Sequence, residues 1–340
     1  MQKELNIMYS SDDNYTSIVG VSIISLLENN MDFDKITIHF IDCGLSEKSK
    51  SILEEIVLKY NRIIIFHPLE EIISYYTINA PKPSYYGRLF APFFINEDKI
   101  LYLDCDLLIV NSLMSLWQTD LTDYGIAAVQ GPGASAENRA KLNIPFETRY
   151  INSGMLLINL HYWREHHLTE KLVNYLNKHG EIPPYHDQNI INAICYRDTL
   201  IVHPKYNLLW SMMCCKPKDI CRLNKIKHYY TDEEISSAIR EPVIIHFSNS
   251  IYGRPWKTGC HHKYKHMYMH YRALSPWKNE PLSANTISMF RKCRNSFYRI
   301  LPSRFYYYAQ ITERWMIQNV IPLLPKSKIT NWIKTYMNGN

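Results

Sequence analysis

Apolar and polar positions over the first 250 residues alternate between two rhythms. Short aliphatic or β-branched runs at Leu5–Tyr9, Ile36–Ile41 and Ile63–Phe66 read as buried strands. Between them, Tyr15–Glu28 and Ser46–Tyr60 carry apolar residues at helical spacing. Asp12, Asp13 and Asn14 stand where the first helix starts, as capping side chains do. The same rhythms predict a helix around Tyr85–Phe94 and strands at Ile100–Leu103, Gly125–Val129, Met155–Leu160, Leu200–His203 and Val243–Phe247. Further helices are expected at His166–Lys178 and Asp187–Tyr196. Strand–helix alternation of this kind builds a doubly wound α/β sheet, with ligands at the carboxyl ends of the strands. There are no internal repeats and no low-complexity segments, and Pro276–Pro281 reads as the boundary between a body and a tail.

Composition agrees with a folded body. Of 340 residues, 46% are apolar and 21% charged, which excludes a disordered chain, and 11 Gly with 17 Pro exclude collagen-like or linker architecture. Aromatic residues reach 13%, enough to fill a core and still leave rings for sugars, bases or a membrane interface. No stretch reaches the roughly 18 apolar residues of a membrane span. The N-terminus lacks the basic and apolar regions of a secretory leader, so a cytoplasmic location is expected. The eight scattered cysteines then read as reduced thiols, and Cys214, Cys215, Cys221 and Cys260-His261-His262 lack zinc-site spacing.

Charge changes the picture more than composition does. From Asn285 onward, nine Lys/Arg face one acid, Glu313, a formal +8 that leaves −2 for the preceding 284 residues of a +6 chain. The same tail holds Phe290, Phe297, Trp315 and the run Phe305-Tyr306-Tyr307-Tyr308. Phe290, Cys293, Phe297 and Ile300 recur at helical spacing among Arg291, Lys292, Arg294 and Arg299. Basic residues beside an apolar stripe favour an anionic membrane surface, at about 1 kcal/mol per Lys or Arg. A solvated basic helix or a dimer contact is the alternative. Nothing in the body supports a nucleic-acid partner.

The strongest chemical signal is Leu101-Tyr102-Leu103-Asp104-Cys105-Asp106-Leu107. In extended backbone, residues i and i+2 project to one side, so Asp104 and Asp106 can converge at a strand end. Two such charges repel unless a cation lies between them, and carboxylate oxygens favour Mg²⁺ or Mn²⁺. His246 ends the later strand Val243–Phe247, and an imidazole beside two carboxylates suits Mn²⁺ better. Ser10, Ser11, Asp12, Asp13, Asn14 and Tyr15 occupy the first strand–helix turn, a nucleotide position in α/β sheets. The dinucleotide-binding and P-loop glycine patterns are both missing from the chain, so these polar side chains would hold a base or ribose, or simply cap the helix.

Taken in order, these segments resemble glycosyltransferase family 8, in particular its bacterial lipopolysaccharide glucosyl- and galactosyltransferases. The matching pieces are Ser11–Tyr15, Tyr86-Gly87-Arg88-Leu89, Lys99–Asp106, Tyr150–Met155, His186-Asp187-Gln188-Asn189, His246-Phe247 and Arg254-Pro255-Trp256-Lys257. The resemblance covers roughly residues 3 to 278. It implies a GT-A fold, a single Rossmann-like α/β domain that transfers a hexose from a UDP-sugar with Mn²⁺ and retention of configuration. Carried over by position, Ser10 to Tyr15 and Cys105 lie along the nucleotide, Arg88 approaches the donor sugar and diphosphate, and Asp104, Asp106 and His246 ligate the metal. Asn152, Ser153 and Gly154 line the sugar subsite, Asp187 bonds sugar hydroxyls, and Gln188 lies near the anomeric carbon. A glutamine there is a poor nucleophile, which fits front-face retention. The chain departs from the family in the longer segment between His246 and Arg254-Pro255-Trp256-Lys257, which leaves open whether Arg254 or Lys257 reaches the diphosphate. It also carries Gln130 where an acid is frequent.

These readings divide the chain into a catalytic domain, residues 1–278, and a helical, basic, aromatic tail, residues 279–340. The expected activity is transfer of glucose or galactose from a UDP-hexose to a lipopolysaccharide-core or lipooligosaccharide acceptor, at the inner face of the cytoplasmic membrane. Tyr185, Trp210, Tyr252 and above all Trp256 are the expected platforms for acceptor sugars. The rivals are a protein- or self-glycosylating member of the family and a catalytically silent membrane-docking module.

Overall fold

A computed structural model describes residues 3–74, 83–133, 136–145, 147–180, 186–248 and 250–302, with scattered positions from 305 to 316. Seven strands form the main sheet: β1 (Glu4–Ser11), β2 (Lys35–Asp42), β3 (Ile63–Pro68), β4 (Lys99–Leu103), β6 (Ile126–Gln130), β7 (Ile151–Asn159) and β8 (Thr199–Ile201). Their order is β3-β2-β1-β4-β7-β6-β8. Strands β5 (Leu107–Ile109) and β9 (Ile244–His246) make a separate two-stranded ribbon. The main sheet is mixed and parallel-rich, as expected of an α/β fold.

The central strands read as near-continuous apolar runs because helices cover both faces. Leu5, Ile7, Met8 and Tyr9 of β1 and Ile100, Leu101 and Leu103 of β4 are wholly buried. The edge strand β3 instead exposes Ile63 and Ile65. The helix Thr16–Glu28 is buried almost all round, and Gly20 lets Trp277 pack where a Cβ would stand 2.4 Å from its ring. Trp277 thereby ties the chain's passage toward the tail into the same core as β1 and β2.

Strand–helix alternation predicts the elements but not the direction of β7, which runs antiparallel to both β4 and β6. Its amino end therefore lies beside the carboxyl end of β4. The ribbon is a second departure: Leu107 pairs with His246 and Ile109 with Ile244, so β5, which follows the end of β4, pins a strand that lies far along the chain.

The tail helix Met289–Ile300 starts at Ser288, whose side chain accepts from the Arg291 backbone N–H. Tyr298 and Tyr306 turn inward onto Ile251, with Trp210, Cys214 and Tyr252 around them, while Met289, Cys293, Phe297 and Ile300 face outward. The expectations on Arg304, Tyr307, Arg314, Trp315, Lys326, Lys328 and Lys334, on the Phe290 side chain and on Tyr185 fall outside the described residues. Among the described residues, no helix is long and apolar enough to cross a membrane.

Strands β2 and β3 bring His39 Nδ1 within 3.1 Å of His67 Nε2. Burial and then the His39 neighbour push His67 down to about 4 against the pull of Glu97, and burial lowers His39 as well. Burial also takes His262 down to about 4. These rings fold neutral, whereas in the unfolded chain they take up protons below about pH 6.5. Their contribution is therefore fully present above that pH and is lost progressively as pH falls toward 4. Thermal unfolding followed by circular dichroism should show the melting temperature falling across this window, and His67→Gln should flatten the decline.

Candidate active site

Strand β4 delivers two carboxylates to its carboxyl end, but not by extended backbone. Asp104 follows the last strand residue, and Cys105 and Asp106 form a turn closed by a Leu107 N–H to Asp104 carbonyl hydrogen bond of 3.3 Å. The Asp104 N–H is in turn held by the Gly154 carbonyl of β7 at 2.8 Å, and the Asp106 carbonyl accepts the Phe247 N–H at 2.9 Å. The two acids are thus fixed by different neighbours, one by β7 and one by the ribbon.

His246 completes the group. Ligand atoms of Asp104, Asp106 and His246 all lie within 4.8 Å of one another, the one such His/Cys/Asp/Glu group of three or more among the described residues. His246 Nε2 stands 3.2 Å from Asp106 Oδ1. Burial works against charge on both side chains; each outweighs that cost for the other, so the Asp106 carboxyl is held low and the His246 ring is raised. Two carboxylate oxygens and one imidazole nitrogen suit a divalent ion at the hard-to-borderline boundary.

Gly154 leaves the space for it. A Cβ there would stand 2.6 Å from His246 Cε1, 3.0 Å from Asp104 Oδ2 and 3.0 Å from Asn152 Oδ1. The residues present therefore fit a bound metal: three converging donors around a cradle kept open by a missing side chain.

Arg88 supplies fixed positive charge. Its Nη2 donates to Asp104 Oδ1 at 3.2 Å, its Nη1 donates to the Ser153 carbonyl at 3.1 Å, and its guanidinium lies 3.7 Å above the Tyr102 ring. Tyr102 also donates to Asp104 Oδ1 at 2.8 Å. Asp187 Oδ2 is 3.4 Å from Arg88 Nη1, yet it is buried without a hydrogen bond, and burial raises its carboxyl above the usual range despite Arg88. It is an acceptor with spare capacity.

Gln188 stands on the first turn of the helix His186–Cys195, and its side chain is held by three groups. Its Oε1 accepts from Asn152 Nδ2 at 3.0 Å and from the Ser153 N–H at 3.1 Å. Its Nε2 donates to the Tyr150 hydroxyl at 3.2 Å, and that hydroxyl donates to Asn189 Oδ1 at 2.6 Å. Asn192 clamps the amino end of β7, accepting from the Ile151 N–H at 2.7 Å and donating to its carbonyl at 3.0 Å. An amide so tethered has a fixed orientation and carries no charge.

The first turn, Ser10–Tyr15, is partly committed to its own construction. Asp12 caps the short helix Asp13–Tyr15 by accepting from the Asn14 N–H, and the Asn14 side chain returns to Asp12 Oδ2 at 3.4 Å. Ser11 Oγ donates to the Asp12 carbonyl at 2.8 Å. Asp13 Oδ1 accepts from the Ser46 N–H at 2.9 Å, and hydrogen bonds from Ser49 and Ser46 hold its carboxyl low. Ser10 meets the Cys43 thiol at 3.3 Å, and its carbonyl accepts the Cys105 thiol at 3.1 Å, whose titration burial pushes up. Tyr15 reaches across the site, where its hydroxyl accepts from Arg254 Nη1 at 3.3 Å.

Arg254 also approaches Asp106 Oδ2 at 3.7 Å, with its Nε buried and unbonded. Lys257 is engaged through its backbone, its N–H on the Arg254 carbonyl at 3.0 Å and a bridge to Ser283. The aromatic platforms need correction. Trp256 is buried edge-on to Phe247 in the main core, and Trp210 and Tyr252 pack with Tyr306 and Ile251 under the tail. Gln130 is also turned inward, donating to the His228 carbonyl at 2.8 Å. Sequence reasoning missed Asn207, which is fully buried and bonded to His246; its only signal, an asparagine in an ordinary loop, is indistinguishable from a turn residue.

Gly154→Ala should displace His246 and Asp104 together. A shift of about 1 Å in such a group costs on the order of 10²-fold in rate. Divalent-ion binding followed by calorimetry should weaken in parallel, while the melting temperature of the ion-free protein changes far less.

The profile of glycosyl transferase family 8 matches residues 6–260. General stress protein A of Bacillus subtilis (strain 168) is 30% identical over 281 residues, covering 80% of this chain and 94% of that protein. A lipopolysaccharide 1,2-glucosyltransferase of Escherichia coli is 28% identical over 82% of this chain and 81% of its own length. Among solved structures, the galactosyltransferase LgtC in complex with donor and acceptor sugar analogs superposes with a TM-score of 0.63 at 23% identity, covering 80% of this chain and 96% of that one. The bifunctional glycosyltransferase WbbM gives a TM-score of 0.70 at 19% identity over 82% of this chain and 51% of that one. With the family profile spanning three quarters of its length and the fold shared with these enzymes, the chain belongs to glycosyl transferase family 8.

Proposed function

We propose that this glycosyltransferase is a retaining hexosyltransferase that moves glucose or galactose from a UDP-sugar to the oligosaccharide of a lipopolysaccharide core or lipooligosaccharide. It would use Mn²⁺, with Mg²⁺ as the alternative ion. The observation that carries this reading is the convergence of Asp104, Asp106 and His246 on one cradle, with Gln188 tethered beside it through Asn152 and Ser153. The lipopolysaccharide 1,2-glucosyltransferase among its relatives supports the choice of acceptor.

In this reading Asp104, Asp106 and His246 hold the ion, which when bound supplies Lewis-acid stabilisation of the departing diphosphate. Arg254 faces the same oxygens with an unbonded buried Nε, and its planar fork suits phosphate. It is therefore a better candidate than Lys257. Ser10 to Tyr15 and Cys105 border the nucleotide, with Tyr15 sharing Arg254. Arg88 orients the donor by holding Asp104 and Asp187 in place, and Asp187 Oδ2 accepts from a sugar hydroxyl. Asn152, Ser153 and Gly154 form the floor of the sugar subsite. Gln188 is an uncharged, immobilised amide that neither ionises nor attacks. It presents a dipole near the anomeric carbon, and the leaving phosphate takes the acceptor proton on the same face.

Residues 1–278 would form the catalytic domain, since Trp277 still packs on the first helix, and residues 279–340 the tail. Outward-facing Met289, Phe297 and Ile300 beside exposed Lys292 support its use as a contact to the anionic inner face of the cytoplasmic membrane.

Purified protein incubated with a panel of UDP-hexoses should release UDP from one of them with Mn²⁺ and not with EDTA. Asp106→Asn should lower that rate at least about 100-fold, beyond the loss typical of an outer-sphere change. Binding of UDP without release from any donor, in the presence of a lipooligosaccharide acceptor, would overturn the assigned chemistry. For the tail, co-sedimentation should be strong with phosphatidylglycerol vesicles, weak with phosphatidylcholine vesicles, and reduced by salt and by Lys292→Glu with Phe297→Ser. Equal retention on both lipids would overturn the membrane role.

A further inference from the structure

Asn207 lies beside His246 because of the backbone between them. Leu208 runs parallel to β9, with its N–H on the Ile244 carbonyl at 2.9 Å and its carbonyl accepting the His246 N–H at 3.1 Å. This sets Asn207 Oδ1 2.9 Å from His246 Nδ1 and Asn207 Nδ2 2.8 Å from Asn152 Oδ1. Asn207 is fully buried.

The orientations of the Gln188, Asn152 and Asn207 amides are forced by two backbone N–H groups that cannot rotate. The Ser153 backbone N–H points at Gln188, so the atom it meets must be Oε1. The Gly154 backbone N–H points at Asn152, so the atom it meets must be Oδ1. Asn152 therefore turns its Nδ2 to Gln188 and its Oδ1 to Asn207. Asn207 must answer with Nδ2, which leaves Oδ1 for the imidazole. An acceptor facing Nδ1 requires a proton there, and Nε2 is left to face Asp106 and the cradle.

We propose that Asn207 is a positioning residue for His246: two backbone N–H groups of β7, relayed through Asn152 and Asn207, keep the proton on Nδ1 and reserve Nε2 for the metal. The inference rests on His246 being a metal ligand in the reading above. Asn207 is closed off from solvent, and it acts through the ring it contacts. The same Asn152 also donates to Gln188, so one amide orients the metal ligand and the residue assigned to the anomeric carbon.

The test has a readout independent of metal and turnover. In protein labelled with ¹⁵N-histidine, with His246 assigned by His246→Gln, Nδ1 should carry a slowly exchanging proton both without metal and with diamagnetic Mg²⁺. An Nδ1 without a proton overturns the proposal, whether or not metal binds. Mn²⁺ affinity, read from free Mn²⁺ by electron paramagnetic resonance, should fall about 10- to 100-fold in Asn207→Leu, which keeps the volume but not the acceptor. Asn207→Asp, which keeps the acceptor to Nδ1 but turns a second oxygen to Asn152 Oδ1, should fall distinctly less than Asn207→Leu. Unchanged affinity in Asn207→Leu, or an equal fall in both variants, overturns it. If wild type and Asp106→Asn both fail to bind Mn²⁺, the metal reading itself fails, and the Nδ1 proton still decides the role of Asn207.

Discussion

Two carboxylates placed at the end of one buried strand are the constraint around which the rest of the site is arranged. Like charges about 4 Å apart repel by about 4 kcal/mol at an effective dielectric of 20. Within β4 the Tyr102 hydroxyl, donating to Asp104 Oδ1, eases it in part. Arg88 lies against Asp104 and Asp187, while His246 and Arg254 lie against Asp106. Three acids thus face two guanidiniums and the raised His246 ring around the gap that Gly154 keeps open.

Holding those partners in place demands a particular sheet. Because β7 runs antiparallel to β4, its first residues lie at the site, where the Ser153 and Gly154 carbonyls hold Arg88 and the Asp104 N–H and the backbone N–H groups of the same two residues point to side chains. Ser153 and Gly154 use theirs on Gln188 and Asn152. The short ribbon of β5 and β9 has the complementary task of carrying His246 to Asp106, with Leu107 as its direct pairing partner. Both devices also bury apolar side chains, Met155 to Ile158 in β7 and Leu107 to Ile109 with Ile244 and Ile245 in the ribbon, so core packing holds each donor atom in place.

What could be read from the chain divides along the same line. Asp104 and Asp106 were legible because two acids closing an apolar run are a local pattern, although a turn rather than extended backbone brings them together. The capping role of Asp12 was legible for the same reason. His246 was legible as a histidine closing a strand, whereas Arg88 and Gln188 were legible only through resemblance, since each acquires its meaning from a residue far away in sequence. Asn207 had no signal at all: it lies 39 positions before His246 and 55 after Asn152, and no periodicity links them. The antiparallel sense of β7 was hidden because strand composition records burial on both faces and not direction. The aromatics failed differently. Trp256 reads as a sugar platform from its motif, but its edge-on contact with Phe247 makes it part of the core.

The tail shows the same principle from the outside. Its basic and apolar face was visible as helical spacing, but the inward face was not, because its partners lie in the body. Tyr298 and Tyr306 pack on Ile251, and Arg299 donates to the Ile251 carbonyl at 3.4 Å. Ile251 belongs to the segment that leaves β9 after His246 and leads to Arg254, so the tail braces the connection between a metal-ligand candidate and a phosphate-binding candidate. A connection of this kind has conformational freedom to lose on ordering. Packing from the tail, with Tyr298 bonded to Glu313 at 2.9 Å, is a contact through which that freedom is removed. The outward face of the same helix is then one layer of side chains away from the loop that carries Arg254 to Asp106.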